Sequence, residues 1–526
     1  MSSGRRLGMG GAAAIVSGSI LVSRLLGLLR ETLLAALLGV SSAGDVYRDA
    51  FFVPDLLNYL MAGGFLTITL VPILAKRLEA GEVEGSHRDF TAVFWTMAGA
   101  IAALTLVLWA AAPPLVEALF RTLPASDQAE IAQLTRIALP AQIFFVLGSL
   151  FMAYSYAKRR FLYPALAPVI YNLGIIFGGL LGAADGDPSP AGFVWGAVIG
   201  AAVGNFGVQW LGARTAGLRL RRPGAATRPA LAQYFALAIP LMIGQSVAVL
   251  DEQFVRVFGQ LGGAGGTAAL SFARMLNMVP IGIIAQAAGV AAFPFLAGLA
   301  AKSDWSGLAG TTQRAIRATL VISAGATAVV YAVARPAIRI VYQWGRFSVE
   351  DTALVASLLA VYCLSIPAWG AQQVAARSFY ARRRMWLPVG WGTLVTVLAI
   401  PLHLWLFRAF DLPGLAWASV ISISMYATIL YVRWRQTDGE LAPATSSLWR
   451  LVPGALLAAV AGRLVASALS GELALGPSLL GLVGAALITA SVYLLICLAL
   501  RVPEVRAIMG RLPGARPQSS GRDRSG

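Results

Sequence analysis

From about residue 11 to residue 39 the chain is apolar over a length sufficient to cross a bilayer, and similar stretches recur to near its C-terminal end. Backbone N–H and C=O groups inside hydrocarbon have no water to pair with, so each stretch must close its own hydrogen bonds as a helix. About fourteen spans can be read. The first six lie near 12–38, 46–72, 91–116, 130–156, 161–183 and 190–215. Six more lie near 232–258, 267–298, 313–338, 353–378, 387–408 and 412–434, and the last two near 450–470 and 476–500. The expected fold class is therefore an all-α polytopic membrane protein. Composition agrees: 58% of the 526 residues are hydrophobic and only 12% charged, which no ordinary soluble domain shows. The first stretch follows Arg5 and Arg6 but is too long for a signal peptide, so it reads as a retained span.

The formal net charge of +17 does not point to nucleic acid, because the basic residues are scattered among short loops. Alternate loops carry them: Lys76 and Arg77; Lys158, Arg159 and Arg160; Arg219, Arg221, Arg222 and Arg228; Lys302, Arg314 and Arg317; Arg382, Arg383 and Arg384; Arg433, Arg435 and Arg450. The positive-inside rule then places both termini in the cytoplasm. The loop carrying Arg335, Arg339 and Arg346 is the exception. The Arg-, Ser- and Gly-rich tail from Arg501 is expected to be disordered. Cys363 and Cys497 are the two cysteines, both in apolar runs, and imply no disulfide framework. No P-loop, nucleophile elbow or zinc-protease motif occurs, so the sequence supports a non-enzymatic role with no cofactor.

The chain repeats itself. Tyr156-Ala-Lys-Arg-Arg-Phe-Leu-Tyr-Pro164 returns as Tyr380-Ala-Arg-Arg-Arg-Met-Trp-Leu-Pro388, an offset of 224. Val71-Pro72-Ile-Leu-Ala75 returns as Phe293-Pro294-Phe-Leu-Ala297 at 222, and Leu139-Pro140 as Ile366-Pro367 at 227. Three matches at a near-constant offset indicate an internal duplication. Six spans per unit means both units enter the membrane in the same sense. Two lobes related by a pseudo-two-fold axis along the membrane normal, with a shared cleft, are expected. The division reads 1–222 for the first lobe, 223–440 for the second, 441–502 for two additional spans and 503–526 for the tail.

Charge inside the spans is costly and needs a reason. The first span contains Ser23-Arg24-Leu-Leu-Gly27-Leu-Leu-Arg30-Glu31. Seven positions apart on a helix, Arg24 and Glu31 share a face, and Arg30 lies about 120° away. Either an Arg–Glu pair pins this helix to its neighbours, or a cationic wall awaits an anion. Ser246 lies 223 residues after Ser23, and the span around it carries Asp251, Glu252 and Arg256. There Glu252 and Arg256, four apart, could pair, or Asp251 and Arg256 could face one cavity and serve coupling or gating. Arg274, with no adjacent acid, favours a functional reading. The second span holds Asp45, Arg48, Asp49, Pro54-Asp55, Asn58 and Gly63-Gly64, a proline and glycines that break or bend a helix.

These residues carry a resemblance. Ser23 to Glu31, then Asp45 and Phe51-Phe-Val-Pro54-Asp-Leu-Leu57, are similar to the opening of the MurJ/MviN lipid II flippases. The similarity continues through Val71 to Ala75, Arg160-Phe-Leu-Tyr-Pro-Ala-Leu-Ala-Pro168 with Asn172, Tyr342-Gln-Trp-Gly-Arg-Phe-Ser348 with Asp351, and Ser378-Phe-Tyr-Ala-Arg382 with Pro388. That family belongs to the multidrug/oligosaccharidyl-lipid/polysaccharide exporter superfamily. The resemblance implies a bacterial inner-membrane transporter moving undecaprenyl-pyrophosphate-linked peptidoglycan precursor (lipid II) outward by alternating access. It implies Arg24, Arg30 and Arg274 as substrate-binding cations, with Ser23, Asp45 and Asn58 beside them. Glu31, Asp251, Glu252 and Arg256 remain for gating or for coupling to a monovalent cation, proton or membrane potential. Lipid II, the bilayer and cell-wall synthesis machinery are the implied partners. Two departures stand out: Asn58 occupies a family arginine position, and Gly63 a family glutamate position. Either Arg48 or Arg256 supplies the missing cation, or the cargo is another polyprenyl-linked glycan.

Overall fold

The computed structural model describes residues 9–61, 65–221, 231–232, 234–236, 252–438, 448–469 and 475–505. Gly63, Gly64, Ser246, Asp251 and the tail from residue 506 lie outside them. The chain divides into two compact units, Met1–Ser271 with Tyr342–Asp351, and Phe272–Val341 with Thr352–Gly526. Among the described residues ten helices are long and apolar enough to cross a membrane. One of them, Trp386–Thr437, is a merged pair. Asp411 breaks it, with φ 55° and ψ −142°, between the two spans read near 387–408 and 412–434.

The first unit begins with α1 (Met9–Leu38), which at 30 residues is about 45 Å long. It stops because Gly39 turns left-handed, φ +67°, and its N–H bonds back to the carbonyls of Leu34 and Ala35 at 3.3 and 2.9 Å. The expected second span is not one helix. It forms α2 (Ser42–Ala50), α3 (Phe52–Met61) and α4 (Phe65–Glu79). Ser41 caps α2 by accepting from the Gly44 N–H at 3.4 Å. The α2–α3 break at Phe51 stands just before Pro54, which sits in the first turn of α3 where its missing N–H costs nothing.

Long helices α5 (Val83–Leu119), α6 (Ala125–Ala138), α7 (Ala141–Ala157), α8 (Leu162–Leu181) and α9 (Pro190–Gly200) complete most of the unit. Phe90, Phe94 and Phe151 stack between α5 and α7 as part of its core. Gly174 and Gly178 face Gly196 and Gly192, so α8 and α9 approach backbone to backbone. A π-helical segment, Ala201–Val208, leads into α10 (Gln209–Thr215). Helix α11 (252–259) and the first turn of α12 (Gly266–Ala301) close the unit.

The loop around Arg346 also belongs to this unit. Its backbone N–H donates to Ala36 O at 2.8 Å. Gly345 has φ +58°, and a side chain there would collide with the Ala36 carbonyl. Arg346 reaches Asp187 at 3.5 Å, an exposed and weak pair.

The second unit holds the rest of α12, then α13 (Trp305–Tyr342) as far as Val341, α14 (Val349–Tyr362) from Thr352, α15 (Ile366–Ala381), α16 (Trp386–Asp438), α17 (Leu448–Leu469) and α18 (Leu475–Ala499). Leu479, Leu480, Leu487 and Leu495 stand out from α18 as a lipid-solvated face. Tyr493 donates to Val321 O at 2.7 Å and ties α18 to α13. Beyond α18 the chain turns back rather than dispersing at once. Val502 and Val505 are buried, and Glu504 pairs with Arg317 at 2.6 Å.

Candidate functional site

The polar centre of the first unit is built on α1. Glu31 is almost fully buried, and its carboxylate binds two guanidinium groups, Arg30 Nη2 at 2.8 Å and Arg48 Nη2 at 3.1 Å. Arg30 Nη1 also donates to Asn172 Oδ1 on α8 at 3.2 Å. The Asn172 amide nitrogen in turn donates to Pro168 O at 2.9 Å and to Ser23 O and Oγ at 3.4 Å. Ser23, Arg30 and Glu31 are thus gathered with Asn172 and Arg48, and Tyr47 and Tyr171 lie within electrostatic reach of Arg30. Arg30 and Arg48 keep 21% and 13% of their side-chain surfaces accessible, so both can still meet a ligand.

An Arg24–Glu31 pair, one of the two readings of that span, does not form. Arg24 is exposed and makes no ion pair among the described residues. Glu31 turns instead to its chain neighbour and across to α2, where the turn at Gly39 brings Arg48 alongside α1. Loss of Arg24 therefore does not strand Glu31.

A second cluster forms around Arg256. Its Nη2 meets Asp55 Oδ2 on α3 at 2.7 Å and Glu252 Oε1, one turn earlier on α11, at 3.3 Å. The Glu252–Arg256 pair, one of the two readings of that span, is present, but the shorter partner is Asp55, which spacing alone did not single out. Proximity across 201 residues leaves no local signal; a charged Asp following Pro54 inside an apolar run was the available hint.

Asp45, expected near substrate, has both oxygens occupied by backbone. Gly265 N–H donates to Oδ2 at 2.6 Å and Ala268 N–H to Oδ1 at 2.7 Å. These are free donors at the start of α12, so Asp45 caps that helix from across the unit. Asn58 is half-buried on α3. Arg274 is half-buried on α12 and falls in the second unit, where Asn277 donates to Ser365 Oγ at 3.1 Å.

Chemically, the α1 centre is an anion site whose present anion is a protein carboxylate. Guanidinium groups offer planar forks of donors that match carboxylate and phosphate oxygens alike. Two cations share one carboxylate, and Arg24, seven residues before Glu31 on α1, is exposed with no ion pair among the described residues.

Comparison with known proteins follows the same lines. The family description "Lipid II flippase MurJ" matches residues 34–484. The chain is 26% identical over 460 residues to a protein of Rhizobium meliloti described as probable lipid II flippase MurJ, covering 85% of each chain. It is 28% identical over 426 residues to that of Rhizobium tropici, covering 79% of each. With the lipid II flippase MurJ of Burkholderia cenocepacia it shares 27% over 384 residues, covering 72% of this chain and 74% of the relative. Its fold matches a lipid II flippase MurJ solved in an inward closed conformation, with TM-score 0.76, 21% identity and coverage of 94% of this chain and 99% of that one. An inward-facing multidrug resistance MATE family transporter of the MOP superfamily follows, at TM-score 0.66, 15% identity and coverage of 81% and 98%. With the family description spanning residues 34–484, this chain belongs to the lipid II flippase MurJ family.

Proposed function

We propose that this multi-pass membrane protein moves lipid II from the inner to the outer leaflet of the bacterial inner membrane by alternating access. One observation carries the site assignment: a single carboxylate, Glu31, bridges the guanidinium groups of Arg30 and Arg48 in a largely buried centre, while Arg24 has no ion pair among the described residues. A pyrophosphate cannot cross hydrocarbon without replacing its hydration, and guanidinium donors do so with charge-assisted hydrogen bonds. Arg24 would meet the headgroup first. Arg30 and Arg48 would then exchange Glu31 for phosphate oxygens, since a pyrophosphate carries more charge than one carboxylate. Ser23 and Asn172 would add neutral donors, and Arg274 on α12 is a further proposed headgroup cation. Asp45 acts by holding α12 in place rather than by touching the headgroup. Arg48 supplies the cation that Asn58 lacks, which favours lipid II over a different cargo.

The polyprenyl tail stays in lipid throughout. The alternation of basic loops supports a cytoplasmic placement of both termini. Coupling is to a monovalent cation, a proton or the membrane potential, with Asp251, Glu252 and Arg256 in the gating region, and cell-wall synthesis enzymes receive the product. The test is transport by the purified chain in liposomes loaded with lipid II or with a polyprenyl-pyrophosphate carrying a different glycan. Lipid II movement well above protein-free liposomes, with the other glycan left behind, is expected. Equal movement of both would refute the cargo assignment.

A further inference from the structure

Asp49 is the one carboxylate of α2 that the ion pairs and caps above leave unused. It is 1% exposed, and neither oxygen accepts a hydrogen bond among the described residues. Buried carboxylates ordinarily collect donors, because an ionised one without them loses its hydration for nothing.

Charged and polar groups reach it from α2, α11 and α12, and α6, also packed on α2, brings Asp127, which accepts from Ser42 Oγ at 2.5 Å. On its own helix Asp45 stands one turn earlier, an acid already stabilised by two backbone N–H groups, and Arg48 is committed to Glu31 on α1. From α11 comes Arg256, held by Asp55 and Glu252. From α12 comes Thr267, whose hydroxyl lies beside the Asp49 carboxyl and also points toward Arg256 O at 3.5 Å. Two carboxylates on one helical face thus have different environments, Asp45 held by two backbone N–H groups and Asp49 beside a single hydroxyl. Neutralising Asp49 removes both the desolvation cost and the repulsion from Asp45.

Resting on the transport reading above, we infer that Asp49 is a proton-binding carboxyl whose proton is exchanged with water during the transport cycle. The step is an acid–base equilibrium: the carboxyl O–H bond breaks, the proton leaves to water, and the oxygens become a carboxylate. The ionised form needs a donor, and the Arg256 Nη1 atom is buried with no acceptor among the described residues. Deprotonation therefore draws Arg256 toward α2 and loosens it from Asp55 and Glu252. Reprotonation returns it. Proton occupancy at α2 is in this way tied to the α3–α11 ion pair.

The test uses the purified full chain in bilayers and has two arms. Infrared difference spectra should show a protonated carboxylic acid band at neutral pH that shifts in D2O and is missing in Asp49→Asn. In liposomes, lipid II movement by wild type should respond to an imposed pH gradient, whereas the response ratio of Asp49→Asn should fall to unity. Because an amide mimics the neutral acid, Asp49→Asn should also accumulate and stay folded like wild type. No such band in wild type, the same band in Asp49→Asn, an intact gradient response in Asp49→Asn, or an unfolded Asp49→Asn each overturns the inference. The infrared arm does not depend on cargo, so the proton site and the lipid II reading fail separately.

Discussion

Replacing Glu31 with glutamine removes the one carboxylate that two guanidinium groups share, and the consequence can be sized. Breaking a buried ion pair from one side leaves charge without a partner and costs about 3–5 kcal/mol. Two features place this case near the lower end. Arg30 retains its hydrogen bond to Asn172 at 3.2 Å, and both arginines keep some exposed surface. A loss of about 3 kcal/mol shifts the folding equilibrium on the order of a hundredfold. Arg24→Ala, by contrast, touches an exposed side chain with no ion pair among the described residues and should stay within about 0.5 kcal/mol. The assay is the amount of folded, monodisperse protein surviving a heating series in detergent, read for both variants beside wild type. Adding Arg48→Met to Glu31→Gln should restore part of the loss, because it removes one of the two cations that Glu31 neutralised. If Arg24→Ala proves as unstable as Glu31→Gln, or Glu31→Gln as stable as wild type, the three-group centre is wrong.

Other outcomes follow from the same geometry. Asp45→Ala should cost about 1–2 kcal/mol in the heating assay through loss of the α12 cap, with Asp45→Asn closer to wild type since its amide oxygen still accepts; equal stability of Asp45→Ala and wild type would contradict it. Gly345→Ala should lower the yield of folded protein, because the residue sits at φ +58° against the Ala36 carbonyl, whereas Gly81→Ala, left-handed but in open space, should be milder. Arg→Lys at Arg24 and Arg30 keeps charge but loses the fork, so transport should fall while protein level holds; full transport would leave only general electrostatic attraction.

Much of the fold was legible because its signals are local. Apolar length located the spans, and the break at Asp411 falls between two stretches read separately. Pro54 with its neighbouring polar residues flagged the second span as irregular, and α2, α3 and α4 divide it. Charge inside the first span marked the polar centre. The partners were not legible. Helical periodicity put Arg24 on the face of Glu31, yet the bonds go to Arg30 and, across 17 residues, to Arg48. Asp45 meets Gly265 and Ala268 across 220 and 223 residues, and Asp55 meets Arg256 across 201. Such pairings are decided by how helices pack, which no 3.6-residue period encodes. Val502 and Val505 show the same limit, since a composition that reads as tail says nothing of two valines finding a groove.

The central claim is that guanidinium groups in the first unit bind the pyrophosphate, and Arg24 tests it most directly because its removal should leave the fold intact. In cells depleted of their own flippase and supplied with this chain, outer-leaflet lipid II and protein abundance are measured together for wild type and Arg24→Ala. The account predicts normal abundance of Arg24→Ala with outer-leaflet lipid II reduced to the depleted level. Arg24→Ala protein that accumulates normally and delivers lipid II as fast as wild type would contradict it.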